Sequence, residues 1–342
     1  MCHHLQWLQA IANEENRKCD FRFSWSEKFR MDLFRPFIRG RYKVPVPAAF
    51  LLVMMIWSTT PLGIQWSGAG VGYEFGVAAR MCIGLVALLI ITRVLRKPLP
   101  FHRHALLIYA AGGLPIFAAM TLVYSSAQHI PSGWISVIFG LSPLLTSLFA
   151  IVLLPESRLS AGKLSGMALG LAGLAVVFAE SFHLDSASWL GVLGVCAAAA
   201  SQSFGAVLLK KLGPSLPAIS VTTGSLLLAT PLFVANSLFH GLPDAIPDRA
   251  LFAIVYLALM GSAIGFPLYF YLLQNMRAER VALITLITPV TALLLGAGLN
   301  AEVISARVWL GTALILAGLA IYEYGKYLPF SKHWRRWKQT PL

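Results

Sequence analysis

Charged residues are scarce in this sequence. They make up 12% of its 342 residues, against about 25% in an ordinary soluble domain. Acidic residues are the rarest class, at 14. A chain this poor in charge cannot cover a water-facing surface of the usual kind, which excludes a soluble enzyme and a disordered protein. Cysteine is also scarce: Cys2, Cys19, Cys82 and Cys196 are scattered, with no CxxC pair. A disulfide framework and a zinc site are excluded on that spacing. There is no Walker A loop, HExxH, GxSxG or dinucleotide fingerprint, so no cofactor, no metal and no enzymatic activity are expected. The first 43 residues hold no apolar core of the kind a secretory signal peptide needs.

What the sequence has in excess is apolar length. Hydrophobic residues make up 57% and mean hydropathy is +0.72. A helix crosses the hydrocarbon of a bilayer with about 20 mostly apolar residues. Ten stretches qualify: 46–66, 73–92, 105–124, 133–154, 162–179, 189–209, 218–240, 250–273, 281–299 and 305–325. The connectors are short and carry Pro and Gly, as at Pro214 and Pro217 or Pro243 and Pro247. The predicted fold class is therefore an all-α membrane protein of ten transmembrane helices.

The net charge of +13 does not point to nucleic acid, because the basic residues lie in clusters between apolar runs and not on one polar face. Their distribution sets an orientation. With the N-terminus in the cytoplasm, 24 of the 27 lysines and arginines fall on the cytoplasmic side, Arg249 and Arg307 fall outside, and Arg80 lies within a span. One span more or fewer would invert every later loop and destroy this asymmetry. Both termini are accordingly expected in the cytoplasm, as basic tails over 1–45 and 326–342. The N-terminal tail alternates aromatic and basic residues around Phe21-Arg22-Phe23, which suits either an anchor on anionic lipid or a dispensable extension. Met31 opens a second start whose remaining Arg35, Arg39, Arg41 and Lys43 suffice as a positive cap, so the residues before it are expected to be dispensable.

The two halves repeat one another. Pro143 is followed thirteen residues later by Glu156 and then by Leu171-Ala172-Gly173-Leu174-Ala175. Pro289 is followed thirteen residues later by Glu302 and then by Leu316-Ala317-Gly318-Leu319-Ala320. Two five-helix units follow, 46–180 and 189–325. Five is odd, so the second unit is expected upside down in the membrane relative to the first. Inverted repeats support alternating access, because exchanging the conformations of the two halves opens one side or the other.

With its Met55-Ile56-Trp57-Ser58-Thr59-Thr60-Pro61 in span one, Ala79-Arg80 in span two and the two Pro…Glu…Leu-Ala-Gly-Leu-Ala units, the sequence resembles the EamA-domain exporters of the drug/metabolite transporter superfamily. Pro155-Glu156 departs from the Gly-Glu common in that family. The resemblance implies a multi-pass exporter of amino acids or other small metabolites in the inner or plasma membrane, and identifies no single substrate.

Several residues stand out as candidates for a site. Arg80 is costly inside a membrane and is functional by default; it either grips a solute carboxylate or is held by carbonyls of a neighbouring helix. Trp57, Ser58, Thr59 and Thr60 in span one, and Ser201, Gln202 and Ser203 in span six, place polar patches at mid-depth in both units, as a central cavity would. Tyr269 could stack on a solute, whereas Tyr124 and Trp134 sit at span ends and read as interfacial belts. Pro115, Pro143, Pro267 and Pro289 are candidate hinges. Glu156 and Glu302 are each expected to support the positive end of the helix that follows. His129 reads as a solvated histidine. Gly162, Gly166 and Gly170 form a ladder for close helix packing, with a homodimer face as one expectation.

Three functions remain open on these residues. The first is a secondary exporter of amphipathic solutes such as amino acids, with a small-molecule solute and membrane lipid as partners and no nucleic acid. The second is a flippase for lipid-linked precursors, and the third a non-transporting membrane scaffold.

Overall fold

A computed structural model describes residues 45–154, 161–181, 188–213, 215–282, 284 and 288–324. Both basic tails, Met31 and Glu156 lie outside them. Among the described residues there are helices and no strand. In chain order they are α1 (Val46–Gly68), α2 (Tyr73–Val94), α3 (Arg103–Ser126), α4 (Ser132–Phe139), α5 (Ser142–Leu153), α6 (Ala161–Ser181) and α7 (Ser188–Leu212). Then come α8 (Ala218–His240), α9 (Asp248–Tyr256), a wide-turned π-helical segment (Leu257–Gly265), α10 (Phe266–Asn275), α11 (Ala278–Ala282), α12 (Thr288–Asn300) and α13 (Ala306–Tyr324).

Among the described residues eight continuous or nearly continuous helices are long and apolar enough to cross a membrane, and Thr288–Asn300 and Ala306–Tyr322 are shorter apolar helices. Backbone groups in lipid must be satisfied internally, which is why the apolar stretches are helical. Large apolar side chains such as Met55, Val86, Ile90 and Leu107 are more than half exposed. In water such a surface would aggregate; in a bilayer it is the lipid-facing shell.

Two predicted spans are interrupted. The fourth breaks at Gly140–Leu141 into α4 and α5, with Pro143 in the first turn of α5. The eighth runs from Asp248 to Asn275 but widens into the π segment, and Pro267 stands in the first turn of the helix that resumes after it. Pro267 lacks the N–H that would close a normal turn behind it, and Gly261 and Gly265 ease the backbone through the wider one. Pro289 opens α12. Pro115 lies inside unbroken α3.

Helix α6 packs along α13, α3 along α7 and α8, α2 along α8, and α4 along α12. The α6–α13 contact is made backbone to backbone. A Cβ on Gly166 would fall 2.5 Å from the Gly318 carbonyl oxygen, and one on Gly173 would fall 2.6 Å from that of Gly311. The glycine-bearing face of α6 is thus taken up by a helix of the same chain and is not available for a homodimer contact.

Candidate functional site

Arg80 projects from α2 and is 2% exposed. It reaches that depth because its neighbours are small. A Cβ on Gly84 would fall 2.7 Å from Ser262 Cβ, and one on Gly261 would fall 2.8 Å from Arg80 Nη2. The π segment therefore lies directly on the guanidinium. Arg80 Nε donates to Ser262 Oγ at 3.1 Å and Nη1 donates to the Tyr124 hydroxyl at 3.3 Å. Phe266 places its ring centroid 6.0 Å from Arg80 Cζ. Guanidinium carries five N–H donors, and among the described residues only these two oxygens accept from it. All its partners are neutral.

Arg80 lines a cavity of about 70 Å³ at the junction of α1, α2, α3, α4, α7, α10 and α12. The other polar lining residues are Trp57, Thr60, Ser136, Gln202 and Thr288; the apolar wall includes Ile64, Met120, Val123, Ile135, Phe139 and Phe266. Trp57 packs against Tyr269 with ring centroids 5.1 Å apart, and Gln202 is the hydrogen-bond partner of the Tyr269 hydroxyl. Gln202 and Phe266 also line a second cavity of about 20 Å³ between α3, α7 and α10. Leu209 and Phe270 join that one to a third, of about 30 Å³, which ends at Lys210 and Gln274. The Arg80 chamber is the inner end of a row of spaces separated by side chains.

The opposite ends of α1, α4, α9 and α12 are tied together. Trp66 Nε1 and Arg249 Nη2 both donate to Asn300 Oδ1, at 3.0 and 3.1 Å. Asn300 Nδ2 donates to Gln65 Oε1 at 2.9 Å and to Glu302 Oε1 at 3.1 Å. The Arg249 guanidinium lies 4.1 Å over the Trp66 ring. Glu302 in turn accepts from Ser132 N at 3.0 Å, Ser132 Oγ at 2.6 Å and Gly133 N at 3.3 Å. A left-handed turn at Ala301 (φ 52°) folds Glu302 back toward the bundle. The expectation for Glu302 is corrected in one respect: a carboxylate does sit on a positive helix end, but the helix is α4, far away in sequence, and not the one that follows.

The candidate residues divide. Trp57, Arg80 and Gln202 line the chamber, and Tyr269 backs it through Trp57 and Gln202. Ser58 and Thr59 do not line it. Ser58 donates to Met54 O at 2.8 Å and accepts from Thr291 at 2.7 Å; Thr59 bonds Ile56 O and the Tyr256 hydroxyl at 2.6 Å. A helix turns 100° per residue, so with Trp57 inward the chamber face of α1 is Trp57, Thr60, Pro61 and Ile64. Ser201 donates to Pro115 O at 3.2 Å, bracing α7 on α3. Tyr124, read as a belt residue, is instead 0% exposed and is a direct partner of Arg80. Tyr124, Ser262, Ser136, Thr288 and Phe266 were missed as lining or partner residues. Of these, Phe266 carried a signal in the sequence, as an aromatic one helical turn before Tyr269. His129 is exposed. Among the described residues no three His, Cys, Asp or Glu side chains come together to hold a metal ion.

This is a multi-pass helical membrane protein with an internal polar chamber. The EamA-like transporter family matches residues 46–179 and again residues 189–323, and the chain belongs to that family of membrane transporters. It is 28% identical over 305 residues to the uncharacterized inner membrane transporter YedA of Escherichia coli (strain K12), covering 85% of this chain and 94% of that protein. It is 28% identical over 290 residues to a probable amino-acid metabolite efflux pump of the same strain, covering 80% and 93%. It is 27% identical over 278 residues to a probable terminal-alkyne amino-acid exporter of Streptantibioticus cattleyicolor (strain ATCC 35852 / DSM 46488 / JCM 4925 / NBRC 14057 / NRRL 8057), covering 80% and 91%. A solved crystal structure shares the fold with a TM-score of 0.63 at 21% identity, covering 82% of this chain and 99% of that one.

Proposed function

We propose that this protein is a secondary transporter of the inner or plasma membrane that exports small metabolites by alternating access. It is built from two inverted five-helix units, 46–180 and 189–325, with both termini in the cytoplasm. The observation that carries this reading is a buried polar chamber, centred on Arg80, where helices of both units meet. A scaffold needs no such chamber.

Three further observations support the inversion. The lysine and arginine distribution favours cytoplasmic termini. The helices α6 and α13 carry the same five-residue block, and their glycine contacts are reciprocal: Gly166 meets Gly318, and its repeat equivalent Gly311 meets Gly173. Exchanging the two units also maps the packing onto itself. The contact of α3 with α7 becomes that of span eight with α1, and the contact of α3 with α8 becomes that of span eight with α2. In this orientation the Asn300–Glu302 network closes the outer side, and Phe266 and Phe270 stand in the route to the cytoplasm.

The names of two relatives favour amino acids or related amphipathic solutes. The experiment is counterflow into proteoliposomes of the full chain, across a panel of neutral, zwitterionic and anionic metabolites. Saturable flux of at least one supports the reading; no flux of any, with protein that is folded and monodisperse, overturns it.

A further inference from the structure

Among the described residues Arg80 is the one ionised side chain lining the central chamber, and none of them supplies it a counterion. The ion pairs seen among the described residues, His240 with Glu74 and Arg307 with Glu180, lie elsewhere. Placing an arginine at the centre of a membrane helix is costly even by insertion scales, and two neutral hydroxyls offset only part of that cost. Three N–H donors stay unused in a space of low dielectric, where a missing opposite charge matters most. The planar fork of guanidinium matches a carboxylate through two parallel hydrogen bonds.

The rest of the wall describes the other half of the ligand. Ile64, Met120, Val123, Ile135 and Phe139 are apolar, and Trp57, backed by the Tyr269 ring, adds an aromatic face. The remaining polar lining groups, Thr60, Ser136, Gln202 and Thr288, are neutral. Among the described residues no carboxylate lines the chamber, so none of them would neutralise an ammonium group. A zwitterion would leave the chamber with the same uncompensated positive charge it began with. A monoanion cancels it.

We infer that the solute is an organic monocarboxylate with an apolar or aromatic body and no ammonium group, its carboxylate held by Arg80. This rests on the transport reading and, within its amphipathic solutes, sets the monocarboxylates apart from the amino acids. The class of reaction that supplies such a solute is deamination or transamination of an apolar amino acid, or oxidation of an aldehyde.

Matched sets of compounds test it on the purified full chain. The aromatic set is 3-phenylpropionate, its amide, phenylalanine and phenethylamine; the aliphatic set is 4-methylvalerate, its amide, leucine and isoamylamine. Binding is read as saturable thermal stabilisation at neutral pH in chloride-free buffer. The expected result is stabilisation by one or both carboxylates, with affinity at least tenfold above that of the amide, amino acid or amine of the same set. Arg80→Gln should weaken carboxylate binding at least tenfold while leaving affinity for the amide unchanged. Arg80→Lys keeps the charge without the fork and should fall between the two. Should Arg80→Gln fail to fold, Arg80→Lys and Tyr124→Phe carry the comparison, each expected to weaken the carboxylate more than the amide. Equal or tighter binding of an amino acid or amide overturns the assignment. So does carboxylate binding that survives Arg80→Gln, or no stabilisation by either carboxylate. Any of these results leaves the transport reading standing if the counterflow panel shows flux of another solute; absence of all flux removes both.

Discussion

Gly166 of α6 lies backbone to backbone against Gly318 of α13, and the contact is reciprocal. A Cβ on Gly166 would fall 2.5 Å from the Gly318 oxygen, and one on Gly318 would fall 2.7 Å from the Gly166 oxygen. Two glycines per side, Gly166 and Gly173 of α6 and Gly311 and Gly318 of α13, bring the two backbones together. Small residues let helix backbones approach in lipid, where van der Waals packing drives association. Gly166→Ala and Gly318→Ala should each destabilise by about 1–3 kcal/mol, the usual cost of overpacking. The check is thermal unfolding in detergent. An unchanged Tm for either variant would show that the two helices can move apart without loss.

Glu302 is a carboxylate receiving hydrogen bonds from two backbone amides and a hydroxyl of the α4 start. Glu302→Gln preserves shape and removes charge. A hydrogen bond to a charged group contributes about 1.5–3 kcal/mol, against about 0.5–1.5 for a neutral one, so stability should fall by about 1–2 kcal/mol. The tie between α4 and α12 loosens with it. A cysteine introduced at Ser132 should then react faster with a membrane-impermeant thiol reagent added from outside.

Thr60 and Ser58 are neighbours with different jobs. Thr60 lines the chamber, whereas Ser58 bonds Thr291 of α12. Thr60→Val should raise the KM for flux about threefold to tenfold with little change in Tm. Ser58→Ala should lower Tm, by about 1 kcal/mol of stability for the lost buried hydrogen bond, with KM unchanged. The reverse pattern would mean that α1 is rotated relative to the geometry described.

Pro267 follows the π segment that presents Ser262 to Arg80. Pro267→Ala restores a backbone N–H and allows a normal α turn to form across Leu257–Gly265. Tightening that turn would shift Ser262 off the guanidinium. Flux should fall several-fold while Tm holds or rises, and both are measured on the same reconstituted preparation.

Span positions were legible because lipid imposes a length of apolar sequence that few other constraints resemble. The first helix was predicted over 46–66 and runs Val46–Gly68; the seventh matches at Ala218–His240. Arg80 was legible for the same reason, since charge inside such a run is rare. The break at Gly140–Leu141 and the π segment were not, because both depend on what packs beside the helix. Helical phase was the other gap. Of the Ser58-Thr59-Thr60 patch only Thr60 lines the chamber, and it takes the inward direction of Trp57 to select it. Tyr124 was misread because its depth is set by the packing of α2 on α3 and not by its place near a span end. Glu302 obeyed the helix-dipole argument on a helix that no local reading of sequence could have chosen.

In the proposed transport cycle the tie between α1 and α12 opens for solute to cross. Gln65 and Asn300 are hydrogen-bonded across it at 2.9 Å. In a chain whose native cysteines are replaced, Gln65→Cys with Asn300→Cys can be bridged by a short, reducible bifunctional thiol reagent. Counterflow is then measured before bridging, after it and after reduction. The account predicts flux that stops with the bridge and returns on reduction. Flux that continues at full rate through quantitatively bridged protein would contradict it.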